Sequence, residues 1–318
     1  MSSPLKVEIT LPKIAITKKV GLNTVLIIRP DGIPLVKRHY SDNSPLTDGT
    51  LISGFFSALI TFSDSMLLNY VSDIGISSAR LFFKYQSGFV YIVELDESLL
   101  VKSNFQQARY QVDVLLWHLA EKFPYYYIKK GFKSYEMPAG KRRISPKFID
   151  TLIRKGCRDW LKVVKPDLEE SKFNPIPFTA SINILDATQK YGIDAFYVLG
   201  TEKIIYELKF NKKNTLTTDG KLLQDFLDAV KSFGDQTFFT AVSDIGFFNN
   251  RLYFKFLNTV NFLTIVDELK YFKYPINGTK MMIQAVVNQL SDMLEVLIQN
   301  NDEEKISKTL SRYFMEMT

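Results

Sequence analysis

The sequence is short of the residues that carry most covalent and metal chemistry. Its 318 residues include one cysteine, Cys157, and two histidines, His39 and His118. A single Cys excludes an internal disulfide framework and fits a reducing compartment. So few His and Cys leave little material for a His- or Cys-based triad or a zinc site. Phosphate-cradling glycine loops of the G-x-x-x-x-G-K-[ST] and G-x-G-x-x-G types are absent. So are C-x-x-C, H-E-x-x-H and EF-hand patterns. Catalytic residues, metals and cofactors are accordingly not expected. The start, MSSPLKVEITLPK, lacks an apolar signal core and the Gly needed for myristoylation. The apolar stretch LISGFFSALITF (51–62) is too short to span a bilayer. The expectation is a cytoplasmic protein, peripheral to membranes at most.

Aromatic residues and basic charge are plentiful. With 25 Phe and 16 Tyr, aromatic rings should fill much of the core. The formal charge of +6 is unevenly placed. Between Tyr125 and Lys165 there are twelve Lys and Arg against three acids, so the rest of the chain is net acidic.

The dominant signal is a duplication. Residues 71–84 read VSDIGISSARLFFK, and residues 242–255 read VSDIGFFNNRLYFK. The offset of 171 is far beyond solenoid periods of about 20–50 residues and suits a duplicated domain. The two copies align without a gap over 23–97 and 194–268. Over 47–97, 19 of 51 positions are identical, where chance would give about three.

Each copy predicts the same elements. Apolar runs at 24–29 and 33–39 flank Pro30-Asp31-Gly32, a hairpin turn. Thr47-Asp48-Gly49 opens a helix with apolar residues at 51, 52, 55, 56, 59 and 62. Strands follow at 69–77, 80–86 and 89–95, then a helix over 105–123 that ends before Pro124. Its counterpart is placed at 279–299. Amphipathic helices at 147–164 and 303–315 come next. Residues 1–23, rich in Lys and β-branched residues and containing two Pro, argue against a leading helix.

The order ββαβββαα, carried by IIRPDGIPLVKRHYS, TDGTLISGFFSALITF and VSDIGISSARLFFKYQSGFVYIVELD, resembles the longin domain. The resemblance implies an α+β fold of two longin-like domains. Each would be a five-stranded antiparallel sheet with helices on both faces. It places the first domain at 1–124 and the second at 191–318. Between them, 125–190 is expected to be a basic linker whose amphipathic helix, 147–164, could serve as the third helix of the first domain. The related roadblock domain differs by a helix before its first strand.

Two groups of residues stand out as candidate sites. The first is Ser72, Asp73 and Ile74 with their repeats Ser243, Asp244 and Ile245. An Asp within a strand is unusual. One reading pairs it with Arg80 or Arg251 across its own hairpin. The other puts both copies on edge strands that join as a pseudo-twofold interface within one chain. The second group is Lys129, Lys130, Lys133, Lys141, Arg142 and Arg143, interleaved with Tyr and Phe, a pattern suited to an anionic partner or membrane. Nothing in the sequence favours nucleic acid as that partner. The leading functional expectation, implied by the resemblance, is a non-catalytic tandem scaffold that binds a small GTPase, as a guanine-nucleotide-exchange platform in membrane traffic. Two alternatives are a membrane-associated trafficking adaptor that docks through 125–165, and a ligand-binding sensor or carboxylate-dependent enzyme.

Overall fold

The structure is a computed structural model. It describes residues 15–129, 144–162 and 192–316, apart from 30–31, 43, 45, 47–51, 53, 57–58, 60–70, 77, 101–104, 202, 211–219, 239–240, 248–249, 258 and 269–275. A short helix, α1 (Ala15–Lys19), leads into strands β1 (Leu22–Ile28) and β2 (Pro34–His39). After the helical residues Ile52, Gly54, Phe55, Phe56 and Leu59 come β3 (Val71–Ile76), β4 (Ala79–Gln86) and β5 (Phe89–Asp96). Helices α2 (Glu97–Leu100), α3 (Phe105–Lys129) and α4 (Pro146–Lys162) complete the first copy. The second copy runs β6 (Ile193–Leu199), β7 (Ile204–Lys209), α5 (Gly220–Phe233), a π-helical turn (Gly234–Phe238), β8 (Val242–Phe247), β9 (Asn250–Phe256), β10 (Asn261–Asp267), α6 (Ile276–Gln299) and α7 (Glu303–Met315).

All ten strands form one antiparallel sheet, in the order β2-β1-β5-β4-β3-β8-β9-β10-β6-β7. The fold is thus α+β, and each copy contributes five strands in the same relative order. The copies even share their turns. Gly21 and Gly192, 171 positions apart, both adopt positive φ (69° and 71°) just before their first strands. Each offers its carbonyl to the amide of the matching Asp, Asp96 or Asp267. Ser87 and Gly88, both at positive φ, make the tight turn between β4 and β5.

Both faces of the sheet are covered, so inner strands such as β1, β5 and β6 are buried along nearly their whole length. On one face α3, α4, α6 and α7 pack over Val25, Ile27, Phe82, Tyr91, Phe196 and Phe262. On the other, α5 and the helical residues around Phe55 cover Leu26, Ile74, Leu81, Ile92, Tyr197 and Ile245. Each of these cores draws on both copies without a break at the middle of the sheet. Phe55 stacks on Phe233 of the other copy, with ring centroids 3.5 Å apart.

Several expectations need correction. Helix α3 does not stop before Pro124 but runs through it to Lys129. Proline removes one helical N–H there. Burial of Phe123 and Tyr127 against Phe89 holds the following turn in place. The boundary drawn at 124 therefore falls inside a helix. Helix α4 belongs to the first copy: Gly156 lets it close onto Leu115 of α3, and its buried Asp150 accepts from Arg38 (2.8–3.1 Å) and Tyr40 (3.0 Å). A leading helix exists after all, as the five residues of α1, whose Thr17 is fully buried. The segment at 280–299, besides 51–62, is apolar, and it is long enough to cross a membrane. In the fold its apolar side, including Ile283, Leu290 and Leu294, lies in the core.

Candidate functional site at the junction of the copies

Strands β3 and β8 pair antiparallel, with Asp73 opposite Gly246, Ile74 opposite Ile245 and Gly75 opposite Asp244. Ile74 therefore faces its own repeat, and the local pseudo-twofold axis passes between these two residues. The six residues Ser72, Asp73, Ile74, Ser243, Asp244 and Ile245 are gathered on these two strands. Ile74 and Ile245 point into the core on the α5 side. Asp73 and Asp244 lie on the α3/α6 side with Arg80 and Arg251, and all four side chains are wholly buried.

The pairing runs between the copies as well as within them. Arg80 holds Asp244 with Nη1 at 2.8 Å and Nη2 at 3.2 Å, and Asp73 of its own hairpin with Nη1 alone at 2.6 Å. Arg251 does the converse, meeting Asp73 with Nη1 and Nη2 both at 2.9 Å and Asp244 with Nη1 only. Such two-pronged contacts are the strongest that Arg and carboxylate form. A second pair of acids closes the cluster. Glu97 lies 2.9 Å from Arg80, and Glu268 lies 2.9 Å from Arg251. Lys280 of α6 reaches Glu97 at 3.5 Å. Its repeat, Arg109 of α3, acts on Asp73 and Glu268 through its field.

Burial pushes the Asp73 and Asp244 carboxyls up, but the two guanidinium groups outweigh it and hold both below the usual range. Burial works against the charge of Arg80 too, and Asp244, Glu97 and Asp73 more than restore it. Glu268 differs: burial, aided by Asp73, raises it to about 7 despite Arg251. A carboxyl near neutrality can serve as a general acid or base. Glu268 is fully buried, however, so no substrate reaches it. The arrangement is suited to fastening two edges together, and its acids are placed for pairing with cations.

The smaller residues of VSDIG serve the same junction. Ser72 donates to Asp73 at 2.8 Å, and the single hydroxyl proton of Ser243 is shared between Asp244, at 2.8 Å, and the Gly75 carbonyl, at 3.1 Å. The glycines leave room for the other copy's charges. A Cβ on Gly75 would collide with Asp244 Oδ2, and one on Gly246 would come within 2.5 Å of Asp73 Oδ2 and Arg251 Nη2.

Glu97, Glu268, Arg109 and Lys280 were not singled out from the sequence as site residues. The signal was present, because Glu97 and Glu268 belong to an identical Asp-Glu pair, and Arg109 and Lys280 also lie 171 positions apart. Along β4, Leu81 and Phe83 alternate with Arg80 and Phe82, a pattern that by itself sends one set to each face. In the fold, both sets are buried, on opposite faces.

The basic candidates are not brought to this junction. Lys129 is exposed at the end of α3, with Nζ 5.8 Å from the centre of the Tyr125 ring. Lys130, Lys133, Lys141, Arg142 and Arg143 lie outside the described residues. His118 is buried and meets Asp159 at 2.8 Å, joining α3 to α4. Cys157 is buried between helices, which raises its thiol to about 12. Among the described residues, no group of three or more His, Cys, Asp or Glu is placed to hold a metal ion. One further buried carboxylate, Glu94, accepts from Ser44 and Asn23 in the first copy only, since its repeat is Ile265. A scan against models of known protein families finds no match, and a search of curated proteins finds none.

Proposed function

We propose that this chain is a tandem longin-type scaffold, non-catalytic in itself, that binds a small GTPase and serves as an exchange platform for it. The observation that carries the reading is the β3–β8 junction, which joins two copies of one ββαβββαα unit edge to edge. That is the arrangement expected of paired longin domains acting on a GTPase. The burial of every charge at the junction's centre favours a permanent pairing over a catalytic cleft. The GTPase-binding surface is assigned to the α5 face, where helices from both copies meet across the axis at Phe55 and Phe233. Asp225 and Asp228 are exposed on α5 there. Fold analogy supplies the step from scaffold to GTPase.

The test is direct. The immobilised chain is offered small GTPases from its source organism in GDP-bound, GTP-analogue-bound and nucleotide-free form. Retention of one GTPase in a nucleotide-dependent way, lost on Asp225→Lys with Asp228→Lys, supports the reading. If none is retained and release of labelled GDP is not accelerated, the reading fails.

A further inference from the structure

The two copies differ in the charge of their outer helices. Helix α7, last in the second copy, balances its outward cations: Lys305 pairs with Asp302, Lys308 with Glu304 and Arg312 with Glu316. Helix α4 holds the corresponding place in the first copy. Its exposed side carries Lys147, Arg154, Lys155 and Arg158, and among the described residues none of these has a carboxylate partner. The same fold is thus built with paired charges in one copy and unpaired cations in the other. The architecture itself does not require the cationic face.

Beside α4, helix α3 exposes large apolar side chains, and the one acid among them, Glu121, is neutralised by Lys122 at 2.7 Å. Trp117 is 48% exposed, Tyr125 68% and Ile128 71%. At 100° per residue Trp117 and Ile128 fall on one line of the helix, with Tyr125 next to it. The two surfaces are held side by side. Asp159 of α4 bridges Lys162 on its own helix to His118 of α3, next to Trp117. At the other end, Tyr126 of α3 stacks on Phe148 of α4, centroids 3.7 Å apart. Leu161 adds a further apolar side chain to the outer side of α4 at 51% exposure.

We infer that this α3/α4 surface docks the protein on an anionic lipid bilayer. Four unpaired cations complement a negatively charged leaflet, at about 1 kcal/mol for each Lys or Arg near the surface. Trp and Tyr are suited to the headgroup region, where a ring meets apolar chains and its polar atom meets water. The aliphatic Ile128 and Leu161 decide against nucleic acid, because they neither stack on bases nor pair with phosphates. They gain from entering the boundary between headgroups and acyl chains. The role is additional to GTPase binding, which is assigned to the opposite face of the sheet.

The experiment uses the full chain with vesicles of phosphatidylcholine alone or with about a third phosphatidylserine. Co-sedimentation with the anionic vesicles only, weakening as salt rises, is the expected result. Replacing Lys147, Arg154, Lys155 and Arg158 by Glu should lower the affinity at least about tenfold. The milder set of four Gln substitutions should lower it too, with an unchanged melting temperature as the check on folding. The chain has two Trp, and Trp160 is buried, so a blue shift of fluorescence on vesicle binding reports Trp117. The shift should vanish in Trp117→Phe. No binding to anionic vesicles, or equal binding by the Glu variant, overturns the proposal. So does binding to a short DNA or RNA duplex with the same affinity and no Trp117 shift.

Discussion

Arg80 grips Asp244, which lies 164 residues further along the chain in the other copy, with both terminal nitrogens at 2.8 and 3.2 Å. To Asp73, on the neighbouring strand of its own hairpin, it gives one nitrogen. The cross-copy contact is therefore the more fully formed of the two, and Arg251 repeats it toward Asp73. A residue pattern that seems to concern one hairpin is in fact a fastening between copies.

Removing one member of this cluster should cost far more than removing all four central charges together. Asp244→Ala leaves Arg80 and Arg251 buried with too little counter-charge, at a cost of about 3–5 kcal/mol. Replacing Asp73, Arg80, Asp244 and Arg251 together by apolar residues of similar volume, with Glu97 and Glu268 changed to Gln so that neither carboxylate loses its Arg partner, leaves no unpaired charge at the centre and should be less harmful than the single change. Urea unfolding midpoints of the two variants decide the matter. A milder effect for Asp244→Ala would mean that the cluster is hydrated or weakly coupled.

The glycines of the motif make a second test. Gly75→Ala drives a methyl into Asp244 Oδ2 and should destabilise by about 2–3 kcal/mol or more. Gly54→Ala is the contrast. That glycine is helical and exposed and has nothing within 4 Å of an added Cβ, so alanine should stabilise by up to about 1 kcal/mol. Thermal melts of the two variants should move in opposite directions.

Much of this architecture was legible in advance because the chain states it twice. The offset of 171 and the order of apolar runs placed all ten strands within two residues at each end, and β3 and β8 were marked by their identity. Identity alone could not say that each Asp is held by both Arg residues, because that depends on the antiparallel register that puts Ile74 against Ile245. Pro124 misled because proline ends helices when local energetics rule, whereas here Tyr127 is anchored in the core beyond it. The exposed side chains at the end of α3 are hidden for the same reason, because a helix ending at Pro124 leaves Tyr125 and Ile128 in a linker. The unpaired cations of α4 became informative only beside the paired ones of α7.

Stability should depend on pH in two opposite ways. Asp73 and Asp244 are held below the usual carboxylate range, so their contribution is present above the unfolded value near 4 and is lost as pH falls through the folded value. Glu268, raised to about 7, works the other way. Its contribution is full below about 4.5 and is lost as pH rises through 7, by on the order of 3 kcal/mol. Glu94, also raised by burial, adds to the same trend. Unfolding free energy should therefore fall between pH 5 and about 8. Glu268→Gln should flatten that slope and leave the acid limb unchanged. An unaltered slope in the variant would show that Glu268 is not the titrating group.

The pseudo-twofold itself leads to the last prediction. A fragment of residues 15–162 keeps β3 but loses the strand that covers its edge, exposing a row of backbone donors and acceptors. Because Ile74 pairs with its own repeat, β3 can pair with β3 of a second fragment in the same register. Asp73 would then lie opposite Gly75, and each Arg80 could fork onto the partner's Asp73 as it now does onto Asp244. The α5 face is compatible too. Phe55 stacks on Phe233, whose repeat in the first copy is Phe62. The fragment should thus sediment as a dimer, and Asp73→Arg should abolish the dimer by placing like charges at the axis. Co-expressed with residues 192–316, it should instead form the mixed pair, since that junction retains every native contact described above. A fragment that stays monomeric and well folded at high concentration, with fast amide exchange along β3, would show that the β3 edge can stand without its copy, and the fastening role assigned to VSDIG would fall.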